Sequence, residues 1–154
     1  MKTATYSILV LIFSICAPPL VLLGQTSTNS TFNHYALPVS SLFESAEFYQ
    51  EIMGLVEVED QTQKPNIRWF SLGNGLELHL IETSIDKIKT TKDLHLAMAT
   101  TDIKGFMANL QKQGIVFENW QGKLGTTNNR PDGVKQIYLQ DPDGYWIEVN
   151  DAKK

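Results

Sequence analysis

His34-Tyr35-Ala36-Leu37-Pro38-Val39 and His95-Leu96-Ala97-Met98-Ala99-Thr100 are two versions of one segment. Each opens on a histidine and alternates like a strand. A helix-like stretch follows each and closes on a glycine, Gly54 in the first case and Gly114 in the second. The His-to-Gly spacings are 20 and 19 residues. Each half then runs through strand-like segments to one that carries a carboxylate. A duplication that repeats a histidine at the same place in a strand implies two half-sites meeting around one metal ion.

Between these landmarks the periodicities give the elements. Asn33 to Ser40 alternates as a strand, and Pro38, which has no N–H to donate, belongs at its end or at an unpaired edge position. Ser41-Leu42-Phe43-Glu44 fits a capping box, and Leu42, Ala46, Tyr49 and Met53 recur at helical spacing before Gly54. Leu55 to Asp60, Ile67 to Leu72 and Leu76 to Glu82 read as strands, the last two joined through Gly73-Asn74-Gly75. The polar, Lys-rich stretch from Ser84 to Asp93 links the halves. In the second half Asp102 caps a helix with Ile103, Phe106, Met107 and Leu110 inward. Val116 to Trp120 reads as a strand and Gln121 to Gly133 as a long loop. Lys135 to Gln140 and Tyr145 to Asn150 form a hairpin around Asp141-Pro142-Asp143-Gly144, whose acidic residues are read as turn geometry. The pattern is βαβββ twice, an α+β domain over residues 32–151 with modules 32–83 and 94–151.

Strand parity sorts the side chains. Tyr35/Leu37/Val39, Leu94/Leu96/Met98, Leu76/Leu78/Leu80 and Tyr145/Ile147/Val149 are assigned to the packed faces. The opposite faces carry His34, Glu77, His79, His95 and Glu148 beside the small residues Ala36 and Ala97. Two such curled mixed sheets facing one another make a metal or ligand cleft lined by those five polar side chains. Imidazole and carboxylate at an open site suit Zn, Ni, Co, Mn or Fe. Such an ion acts as a Lewis acid or ionises its bound water. Trp69, Phe70, Trp120 and Trp146 are read either as pocket wall or as packing.

Composition narrows the partners. Net charge is -4, with 11 Lys and only Arg68 and Arg130 as arginines, so no basic stripe exists for nucleic acid. Residues 1–24 pair Lys2 with an apolar run from Ile8 to Cys16 and read as a secretory signal peptide cleaved after Gly24. Residues 25–31 then form a Ser/Thr/Asn-rich linker. Pro18-Pro19 argues against a retained membrane anchor, and Phe13-Ser14-Ile15 against lipid attachment at Cys16. The expected location is periplasmic or secreted, with no membrane association after cleavage. Cys16 is the only cysteine, so a mature domain has no thiolate ligand, disulfide or cysteine nucleophile.

The constellation resembles the vicinal oxygen chelate superfamily, which includes glyoxalase I, fosfomycin-resistance thiol transferases, bleomycin-binding proteins and extradiol dioxygenases. The carriers are His34 with Ser45-Ala46-Glu47-Phe48-Tyr49 and Met53-Gly54-Leu55, the segment Leu76-Glu77-Leu78-His79, His95 with Ala97, and Asp141-Pro142-Asp143-Gly144-Tyr145-Trp146-Ile147-Glu148. The resemblance implies metal positions at His34, Glu77, His95 and Glu148. Aligning the Glu-Leu pair of the glyoxalase-type strand selects Glu77, whereas counting from the preceding Gly in each half pairs His79 with Glu148. Parity leaves both open. The resemblance further implies a homodimer and a small-molecule substrate or ligand. Three activities follow: a metal-dependent lyase or isomerase acting on a small oxygenated substrate, a drug-sequestering binding protein, or an Fe(II) dioxygenase. For the first, Glu148 or Glu77 would take a proton alpha to a carbonyl. One departure bears on substrate. Pro38 stands where bacterial glyoxalase I has an arginine that helps hold glutathione, and Ile81 stands where it has an asparagine.

Overall fold

Ser41 begins the first helix, and two side chains satisfy its start. The Ser41 hydroxyl accepts the Glu44 N–H at 3.3 Å, and the Glu82 carboxylate accepts the Leu42 N–H at 2.7 Å. Glu44 does not return the bond of a full capping box; the strand that follows in space supplies the second acceptor instead. The computed structural model describes residues 29–84 and 90–153. The signal-peptide reading and part of the linker therefore lie outside the described residues. Among the described residues no helix is long and apolar enough to cross a membrane.

In chain order the elements are β1 (His34–Val39), α1 (Leu42–Glu47) running into a π turn (Phe48–Ile52), β2 (Val56–Val58), β3 (Ile67–Gly73) and β4 (Leu76–Glu82). The second half has β5 (His95–Ala99), α2 (Ile103–Lys112), β6 (Phe117–Glu118), β7 (Asn128–Asn129), β8 (Lys135–Gln140) and β9 (Trp146–Asn150). The helical reading to Met53 is corrected to an α-helix that widens. Consecutive Phe48 and Tyr49 are both buried, their rings perpendicular at 5.3 Å, and a π turn brings neighbours inward that α-helical stepping would separate. Gly54 and Gly114 both close their helices at φ +71°, so the duplication extends to the C-caps. At the start of α2 the Asp102 carboxylate accepts the Gly105 N–H at 2.9 Å. A Cβ at Gly105 would lie 2.2 Å from that carboxylate, so the cap requires glycine there. The long loop contains one short strand, β7, and the strand expected over Val116 to Trp120 shrinks to β6.

Two mixed sheets result. One has the order β1-β4-β3-β2; the other has β5-β9-β8-β6, with β7 also on β8. The first strand of each module lies at an edge and pairs parallel to the last strand of its module. Residues Phe32–Lys154 form one compact unit. Its core is contiguous across both modules, joining Leu37, Leu78, Leu80 and Tyr49 with Leu110, Ile137, Leu139 and Ile147. Leu94 is the exception to the packing parity. It precedes β5 and is 67% exposed.

The turn at Asp141–Gly144 ties the modules together. The Asp141 carboxylate accepts the Tyr49 hydroxyl and the backbone N–H groups of Asp143 and Tyr145 at 2.8–3.0 Å. Asp143 accepts the Ser40 N–H and the Ser45 hydroxyl, and the Tyr145 hydroxyl donates to the Pro38 carbonyl at 2.9 Å. The acidic segment is thus a turn, as its sequence implies, and in addition a junction between the modules.

Candidate functional site

The strand registers decide which residues are equivalent. In the first module His34 is opposite Glu77, and Ala36 is opposite His79. In the second, His95 is opposite Trp146, and Ala97 is opposite Glu148. Across the two modules His34 therefore matches His95, Glu77 matches Trp146, and His79 matches Glu148. Rows continue through the antiparallel partners, His79 to Trp69 and Glu148 to Tyr138. Of the two alignments that the sequence leaves open, the register matches the one that pairs His79 with Glu148 and puts Glu77 one row away.

The second half-site is the more tightly held. Glu148 is 5% exposed, and its carboxylate accepts the Tyr138 hydroxyl at 2.7 Å and the Asn150 amide at 2.6 Å. Gln136 donates to it as well. Burial by itself raises this carboxyl's pKa. The three side-chain donors and the nearby His95 outweigh burial and hold it below the ordinary carboxylate value. Tyr138→Phe removes one donor to a buried charge and is expected to cost about 1.5–3 kcal/mol, measured by urea denaturation at pH 7. A cost below a few tenths of a kcal/mol would show that the phenol does not support Glu148.

His95 presents its other nitrogen to the same carboxylate. Its Nδ1 is 2.7 Å from the Lys92 carbonyl, an acceptor only, so Nδ1 carries the proton. Nε2 is then a lone pair facing Glu148 Oε2 at 3.3 Å. A cation placed between these two facing acceptors would satisfy both. The separation is that of two ligands on one ion, about 3.0–3.4 Å for bonds of about 2.1 Å. On this chemistry the pair fits a divalent cation.

The first half-site is built from rings. Trp69, His79 and His34 form a continuous stack, with centroids 4.0 and 4.3 Å apart and planes within 3° and 10° of parallel. His34 Nδ1 lies 2.7 Å from the Asn33 side-chain oxygen, so here too an oxygen sits on Nδ1. His79 Nε2 is 2.9 Å from Glu77 Oε2. The buried Trp69 Nε1 has no hydrogen-bond partner.

The five sequence-derived residues thus form two groups, His34/Glu77/His79 and His95/Glu148. No hydrogen bond, ion pair or ring contact among the described residues joins one group to the other. Nor do three His, Cys, Asp or Glu side chains among them converge on one ion position. Alternation places both groups on sheet faces opposite the shared core. Of the two arginines, Arg68 lies on the helix side of β3, where it pairs with Glu57 and donates to Gln50, and Arg130 pairs with Asp132. Sequence reasoning missed Tyr138, Gln136 and Lys92. The first two were within reach, since counting outward from the Asp141–Gly144 turn pairs 138 with 148 and 136 with 150. Lys92 had no local signal.

Residues 31–149 match the sequence profile of the Glyoxalase/Bleomycin resistance protein/Dioxygenase superfamily, and the chain belongs to that family. It is 27% identical over 137 residues to a probable lactoylglutathione lyase of Vibrio parahaemolyticus, covering 82% of this chain and 94% of that protein. It is 23% identical over 130 residues to glyoxylase I 4 of Arabidopsis thaliana, covering 78% and 70%. A solved structure of a putative glyoxalase family protein from Bacillus anthracis superposes with a TM-score of 0.63 at 26% identity, covering 80% of this chain and 96% of that one.

Proposed function

We propose that this protein is an exported, divalent-metal-dependent lyase or isomerase of glyoxalase type, acting on a small oxygenated substrate. The observation that carries the reading is the matched pair of half-sites. His34 with His79 and His95 with Glu148 occupy equivalent register positions, and both edge histidines have an oxygen on Nδ1, with His95 Nε2 aimed at Glu148. Zn, Ni, Co, Mn or Fe suits this donor set, and a bound ion would polarise a substrate oxygen and acidify an adjacent C–H. Glu148, held by three donors, serves as a fixed anionic ligand. Glu77 has His79 as its one partner and sits one row away, so it is the carboxylate free to take a proton.

The ligand faces lie opposite the chain's own core, and β1 and β5 are sheet edges. Both features support a homodimer in which each site combines the first module of one chain with the second module of another. The substrate is proposed to be other than a glutathione adduct. The row beyond His79 is Ile67, Ile81 and Pro38, which offers no cation to a peptide carboxylate. The equivalent row of the second module carries Gln136 and Asn150 and can hydrogen-bond an oxygenated end.

Metal analysis of protein purified without a chelating tag tests the reading. One divalent ion per chain is expected, and His34→Ala or His95→Ala should lower affinity by more than about 100-fold, beyond the effect of losing an outer-shell partner. A chain that takes up no ion even after loading with Zn(II), Ni(II) or Fe(II) would refute it.

A further inference from the structure

We propose that Lys92 is a positioning residue whose side chain, anchored in an aromatic box, sets the tautomer and aim of His95. Lys92 lies in the turn that feeds β5, closed by the Leu94 N–H on the Thr91 carbonyl at 3.0 Å. Its ammonium has three donors and three acceptors: the Glu118 carboxylate, the Asn119 carbonyl at 3.1 Å and the Trp120 carbonyl at 3.2 Å. Three ring faces surround it, with centroids 4.8 Å away for Trp146, 5.6 Å for Tyr138 and 6.0 Å for Trp120. With every donor engaged and the side chain 16% exposed, this cation has nothing left to offer a substrate.

The anchor works through the backbone. Fixing the Lys92 side chain on β6 and its turn fixes the Lys92 carbonyl, and that carbonyl holds His95 Nδ1–H at 2.7 Å. The imidazole is then committed to an Nε2 lone pair facing Glu148. Tyr138 closes the arrangement from the other side. It lies beneath the ammonium, meets the His95 ring edge-on at 5.6 Å, and donates to Glu148. The first module has no such device, because there the oxygen on Nδ1 belongs to the exposed side chain of the neighbouring Asn33.

The role of His95 as a ligand rests on the proposed function, whereas its tautomer does not, so the test reads both. The chain has three histidines, and the His95 resonances are assigned by their loss in His95→Gln. At pH 8, where an ordinary imidazole is neutral, long-range 15N–1H spectra of metal-free protein should show His95 protonated at Nδ1 only. Lys92→Met should give a mixture of tautomers and lower Zn(II) affinity on the order of 10–100-fold, and Lys92→Arg should restore both in part. Lys92→Met also strands the Glu118 carboxylate, so the pair Lys92→Met/Glu118→Gln is measured beside it. An unchanged His95 tautomer in either folded variant would overturn the positioning role. Wild-type protein that has the Nδ1–H tautomer but binds no metal would overturn the metal reading and leave the positioning role standing.

Discussion

Chains carrying His34→Ala, refolded together with chains carrying His95→Ala, are expected to recover about one quarter of the wild-type metal sites, although neither variant alone retains them. Random pairing makes about half the dimers mixed. Each mixed dimer joins one intact first module to one intact second module, and its other site lacks both histidines. The expectation follows from the two residue groups, which no contact links within one chain, and from their placement on faces that point away from its core. If each site instead closed within a single chain, mixing would restore nothing. Metal content of the separated mixed dimer, near one ion per pair, is the decisive number.

Stability should fall, not rise, as pH is raised from about 4 to about 6, and Asp141 is the reason. Burial at the module junction pushes its carboxyl up to about 6, against the opposing pull of the hydrogen bonds from Tyr145 and Tyr49, and the charge of Asp143 adds to the rise. Through that window the unfolded chain has released a proton that the folded chain still holds. The contribution is therefore full below about pH 4 and lost by about pH 6, amounting to at most about 3 kcal/mol. Glu148 runs the other way: its depressed pKa adds stability that is lost only as pH falls below the ordinary carboxylate range. Asp141→Asn keeps an oxygen for the two backbone donors and an amide for Tyr49, so urea melts should lose the downward slope between pH 4 and pH 6, leaving only the upward contribution of depressed carboxyls such as Glu148. Asp141→Ala strands three donors and is expected to cost about 3–5 kcal/mol at pH 5. An equal slope in Asp141→Asn would rule out this residue as the source.

The parts of this fold legible in the sequence were those governed by short-range rules. Alternation put His34, His79, His95 and Glu148 on the faces away from the core, and Gly54 and Gly114 marked the helix ends. What periodicity could not supply was long-range register. Glu77 and His79 share a face, and only the pairing of β1 with β4 against that of β5 with β9 ranks them. The Trp69–His79–His34 stack crosses three strands, and Lys92 reaches β6 from the link between modules. Neither leaves a trace in local spacing. The π turn was hidden for another reason, since two adjacent aromatics read equally well as one buried and one half-exposed.

Pro38 limits what can be added to the molecule's open side. Along β1 the carbonyls of Asn33 and Val39 bond inward to the Glu77 and Thr83 N–H groups. By alternation the backbone groups of His34, Ala36 and Pro38 point outward. Pro38 has no N–H, and its carbonyl is already taken by Tyr145. An incoming strand therefore finds only His34 and Ala36 to pair with, too short a template for runaway sheet growth. The proline that stands where the resemblance would place a glutathione-holding arginine thus also limits strand addition at the β1 edge.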